Sequence, residues 1–120
     1  MGSPQTTNAR AAEAGLLSIV DPGAGGSIVM GTRQTGIVSL VTAAAEARTL
    51  NDPTQVGQQL TLGFKTDGGD CTVTASSAVN QTGNTVMTFA DAGDMIQLVS
   101  IEDGSSKEWR VVANDGVALS

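Results

Sequence analysis

Two pairs of carboxylates stand at turn-like spacings, Asp67 and Asp70 in "DGGD" and Asp91 and Asp94 in "DAGD". Oxygen donors so spaced suit a calcium ion, and paired acids suit glycoside hydrolysis. Neither pair fits the calcium loop of an EF-hand, and nothing around them suggests a substrate cleft. Asp also closes turns by bonding its own neighbouring backbone, so both pairs read first as turn chemistry. The one cysteine, Cys71 in "DCTVTA", excludes an intrachain disulfide and reads as a small buried thiol on the face of Val73. Without histidine, Ser-His-Asp and Cys-His nucleophile systems and His/Cys zinc sites cannot be assembled. "VDPGAGGS" has the glycines of a phosphate cradle but not its Gly-Lys-Ser/Thr ending, and reads as a hinge. The chemistry thus predicts no enzyme, no metal site and no cofactor.

The elements that carry these residues belong to a chain of 120 residues, the size of one domain with a modest core. Only 15% of its residues are charged, well below the ~25% of an average soluble domain. Neutral polar strand surfaces lose less than charged ones when they are desolvated against a partner, which predicts an oligomer or a docked protein. Net charge is −6, from 12 acidic and 6 basic residues with no basic cluster. Nucleic acid, whose phosphates call for Lys and Arg, is therefore not expected as a partner. The apolar runs "LLSIV" and "IVSLVTAAA" are far shorter than the ~20 residues of a membrane helix, so no membrane partner is expected either.

Residues 1–36 read as an extended, flexible N-terminal arm. Its sticky positions are Leu16, Leu17, Ile19 and Val20 in one patch and Ile28 and Val29 in another, separated by the Pro- and Gly-rich "DPGAGG". These side chains are unfavourable in water, which predicts a docking role for the arm. Residues 37–120 read as a β domain that should fold without the arm, because short alternating strands now recur between turn signals. In "QQLTLGFK" Leu60, Leu62 and Phe64 share one face; "CTVTA", "TVMTF", "MIQLVSI" and "KEWRVVA" follow at regular spacing. No helical period is long enough to supply crossovers, so the prediction is all-β: a small antiparallel β-sandwich or barrel-like domain after the arm. Trp109, the only tryptophan, shares a face with Val111 and Ala113 and is the expected keystone of a core with Leu60, Leu62, Phe64, Phe89 and Leu98.

The stretch "TFADAGDMIQLVSIEDGSSKEWRVVANDGVALS" resembles the C-terminal pattern of small phage virion proteins that decorate heads or form head fibres. That pattern is an F-x-x-A-G-D strand entry, an apolar strand, a loop, W-R/K-V and N-x-G-V. Here it falls on Phe89, Ala92, Gly93, Asp94, Leu98, Trp109, Arg110, Val111, Asn114, Gly116 and Val117, and the upstream "ARTLNDPTQVGQQLTLGFKTDGGDCTVTA" is similar to the same proteins. "IEDGSSKEW" departs from it as a longer, acidic loop. The resemblance implies a homotrimeric capsid decoration, or cement, protein on the outer surface of the virion, made in the host cytoplasm. Its partners would be its own copies and the major capsid protein, the arm would contact neighbouring capsid subunits, and the expanded lattice would gain stability. The competing reading is a receptor- or glycan-binding module of a tail fibre or spike, which would carry an aromatic-bearing loop tip and a fibrous stalk.

Overall fold

The computed structural model describes residues 17–120. Ten strands follow one another: β1 (Ser18–Ile19), β2 (Ser27–Ile28), β3 (Thr35–Val41), β4 (Glu46–Leu50), β5 (Gln59–Thr66), β6 (Cys71–Ala75), β7 (Val86–Phe89), β8 (Met95–Asp103), β9 (Ser106–Asp115) and β10 (Ala118–Leu119). They form two five-stranded sheets, the first in the order β1-β3-β5-β8-β9 and the second in the order β10-β7-β6-β4-β2. The chain is all-β and sandwich-like, as its alternation predicts.

Strand direction departs from expectation. β1 and β3, β3 and β5, β2 and β4, and β4 and β6 pair in parallel. Only the later ladders, β5–β8, β6–β7, β8–β9 and β7–β10, are antiparallel. A parallel pair needs a crossover of a dozen or more residues, which a helix usually supplies. Here the crossover runs through the opposite sheet: β4 lies between β3 and β5 in sequence, and β5 lies between β4 and β6. The chain is therefore wound as a flattened coil whose successive turns add one strand to each sheet, and the hairpins of its second half close it.

One core lies between the layers. Val38, Leu40, Leu60, Leu62, Phe64, Ile96, Leu98 and Trp109 enter it from the first sheet, and Leu50, Cys71, Val73, Met87 and Phe89 from the second. Phe64 and Phe89 meet edge to face across the layers, with ring centroids 6.2 Å apart. Ile19, Ile28 and Met30 are buried in the same core. The boundary expected after residue 36 thus falls inside the fold: residues 18–36 supply the first turn of the coil, and β1 and β2 are held by β3 and β4.

β9 carries a bulge opposite Gln97 and Leu98. Trp109 and Val111 face inward, but the extra residue Val112 shifts the phase, and Ala113 pairs with Gln97 on the outer side. Ala113 therefore leaves the face that strict alternation gives it, since a bulge sets two residues of one strand against one of the other.

Candidate interaction surface

Arg48 sits in β4 between Ala47 and Thr49, and strand alternation turns its side chain into the protein, where it is 1% exposed. A buried guanidinium needs paired charge, and Asp21 supplies it in a two-pronged bridge: Nε donates to Oδ1 at 2.6 Å and Nη2 to Oδ2 at 2.9 Å. Nη2 also donates to the Val41 carbonyl at 3.0 Å and lies 3.1 Å from Glu46 Oε1, while Nη1 reaches Cys71 Sγ at 3.5 Å. Asp21 in turn accepts from the backbone N–H groups of Val41 and Gly23. Burial pushes the Asp21 carboxyl up, but the bonds from Arg48 and the two amides outweigh it and hold it below its ordinary range. The Arg48 guanidinium is held above its own by the bond to Asp21. Burial pushes the Cys71 thiol up, so it is an inert core group. The glycine stretch beside Asp21, expected to be a hinge, is a fixed turn: Gly25 N–H donates to Ala47 C=O at 2.7 Å and Gly26 N–H to Gly23 C=O at 3.0 Å.

The residues of the family-like pattern hold another corner. Asp94 Oδ2 accepts from the backbone N–H groups of Ala90 and Asp91, closing the turn that leads from β7 into β8. Its backbone carbonyl accepts from Phe64 N–H at 2.9 Å, and Gly93 N–H donates to the Phe64 carbonyl at 2.8 Å. Gly116, at φ 89°, packs so close to the Asp94 carboxylate that a Cβ would fall on it. Asn114 closes the turn from β9 into β10 that holds Gly116, donating from Nδ2 to the Val117 carbonyl and accepting from Val117 N–H. Trp109 is 1% exposed, and its indole N–H donates to the Asn51 carbonyl at 2.9 Å, so its polar edge is satisfied within the fold. The "A-G-D", "N-x-G-V" and Trp positions are therefore structural corners.

Asp67 Oδ1 accepts from Gly69 N–H, so each acidic pair contributes a carboxylate that closes a local turn. Among the described residues no three His, Cys, Asp or Glu side chains converge to hold a metal ion. No helix of the described residues is long and apolar enough to cross a membrane.

The two outer faces are the broad surfaces left. The second sheet presents Ser27, Ala47, Thr49, Thr72, Thr74, Val86, Thr88 and Ala118, a hydroxyl-rich face in which Ser27 and Thr49 bond through their side chains at 2.8 Å. The first sheet presents Ile37, Ser39 and Val41 from β3, Thr61 and Gly63 from β5, Met95, Gln97 and Val99 from β8, and Val112 and Ala113 from β9. Its charged residues, Lys65, Arg110, Glu108 and Asp115, lie toward strand ends or on the edge strand β9.

Of the residues expected to form the docking arm, Leu16 lies outside the described residues. Ile19 and Ile28 are in the core and cannot reach a partner without leaving it, whereas Leu17, Val20 and Val29 are exposed. Leu60, Leu62, Phe64, Phe89, Leu98 and Trp109 are buried together, and Val111 packs against them partly exposed. Sequence reasoning passed over Arg48; an arginine on the inward register of a strand, with a lone Asp before a Pro-Gly turn, is the available signal. No family model matches the chain, and no curated protein matches it.

Proposed function

We propose that this is a structural virion protein: a homotrimeric, non-enzymatic decoration protein that seats on the outer surface of a phage capsid and stabilises the expanded lattice. The observation that carries the reading is a two-layer body with two broad faces of neutral polar and apolar side chains. Such faces are desolvated by protein at small cost. The resemblance of residues 47–120 to head-decoration and head-fibre proteins supports the same reading, because the pattern residues Asp94, Asn114, Gly116 and Trp109 each have a defined task in the fold.

Capsid contact falls to the apolar groups the fold leaves free near its N-terminal side, Leu17, Val20 and Val29, together with Leu16 and the residues before it. Three chains in one particle present three such contacts, so weak single contacts add up through effective concentration. Binding to the expanded lattice alone stabilises that state by mass action. The test is co-sedimentation of the purified protein with expanded and unexpanded heads lacking it. Retention on expanded heads and loss of most of it in a Leu17→Asp, Val20→Asp variant is the expected result; equal recovery in the supernatant with both heads removes the reading.

A further inference from the structure

Of the two outer faces, that of the first sheet is the one with relief. Ile37, Met95 and Val112 stand out from it at 47%, 47% and 61% exposure. Beside Met95, Gly63 leaves a depression bordered by Ser39, Lys65 and Asp94. A Cβ added at Gly63 would meet nothing within 4 Å, and the residue needs no left-handed backbone. Neither the backbone conformation nor the packing of this chain therefore asks for glycine there. The missing side chain leaves room on the outside, where another surface can approach the backbone.

We infer that the outer face of the first sheet lines the inside of the trimer, with two further copies of this chain as its occupants. The inference deepens the trimeric reading above and rests on it. Size is the first argument. Five strands about 4.8 Å apart and about seven residues long span roughly 500 Å² in projection, and more with side-chain relief. Each copy of a trimer has two neighbours, so each contact takes about half of that face, and the edge strands β1 and β9 must add area to reach the ~800 Å² each partner gives to a specific interface.

Composition is the second argument. The middle is uncharged while the rim carries Lys65 and Arg110 as well as Glu108 and Asp115, the apolar-centre, polar-rim plan of a protein interface. Both signs on one rim let identical faces approach without net repulsion, despite the chain's charge of −6. Protruding Ile37, Met95 and Val112 and the hollow at Gly63 lie on the same face, so one face offers both a projection and a recess to a neighbouring copy. The hydroxyl face of the second sheet is then left outward.

Methionine oxidation reads this without altering the protein. Met95 is half exposed in the single chain, while Met30 and Met87 are buried. In the assembled wild type, peroxide should oxidise Met95 as slowly as the two core methionines. Light scattering should give three times the 12.1 kDa chain mass. Gly63→Arg and Ile37→Arg should each yield a folded monomer, judged by circular dichroism, in which Met95 oxidises at least tenfold faster. Thr74→Arg, on the other sheet, should remain a trimer with Met95 protected. A trimer in which Met95 oxidises freely overturns this face and leaves the trimeric reading standing. So does one that survives both arginines folded, or one that Thr74→Arg dissociates. A monomeric wild type overturns both, and Met95 protected only on capsids would assign the face to the capsid protein instead.

Discussion

At the scale of single residues, Arg48 and Asp21 decide how the N-terminal stretch is held. Removing the Asp21 charge leaves a buried guanidinium with Glu46 alone, and breaking one partner of a buried pair costs about 3 kcal/mol. Asp21→Asn should therefore lower the unfolding free energy at pH 7 by about that amount in a denaturant titration. The pH dependence has a definite sign. A carboxylate whose folded value lies below its ordinary 3.8 contributes stability that is complete above that value and lost as pH falls through the depressed one. The gap between wild type and Asp21→Asn should thus be constant from neutral pH to about 4 and close on further acidification. A gap that persists undiminished at pH 2 would mean that shape, not charge, makes the contact. None of this was legible in "EARTL", because strand alternation says that residue 48 points inward but not that a carboxylate 27 positions earlier meets it there.

At the scale of elements, the strands of the second half were readable and those of the first turn were not. β5 alternates from Gln59 to Lys65, and its inward set Leu60, Leu62 and Phe64 is fixed by period alone. β1 and β2 have two residues each, too few for any period, so Ile19 and Ile28 look in sequence like sticky points on a tether. Alternation also carries no information on strand direction. What sets the parallel pairs is the length of the intervening segments, each long enough to visit the other sheet and return. The consequence for truncation reverses the expectation that a domain beginning at residue 37 is self-sufficient. Deleting residues 1–36 removes Ile19, Ile28 and Met30 from the core, each worth about 1.5–3 kcal/mol on burial, along with the Asp21 bridge. That total is comparable with the whole stability of a small domain. The shortened chain should lack a cooperative thermal transition. Deleting residues 1–16 leaves every described strand intact and should shift the midpoint by no more than a few degrees.

For the whole molecule, the interleaving of the two sheets makes six of the eight described ladders pairings of strands not consecutive in sequence, among them β3 with β5, β5 with β8 and β4 with β6. Chains dominated by non-local pairing close many loops before contacts repay them, and fold in milliseconds to seconds. Trp109, alone in the chain and buried late in the sequence, reports closure of the core. Stopped-flow refolding followed by its fluorescence should show its main phase on that slow scale; completion within microseconds would argue that the coil assembles locally, turn by turn. The winding also bears on descent. Each turn leaves a sheet and returns to it beside its own predecessor, so a duplicated turn can enter the series without altering any strand that follows, provided the register of its neighbours is kept. Between Ile19 and Thr35, and again between Val41 and Gln59, the chain has the material of such a unit. A lineage carrying this architecture can grow taller by one rung at a time, with the closing hairpins of its second half unchanged.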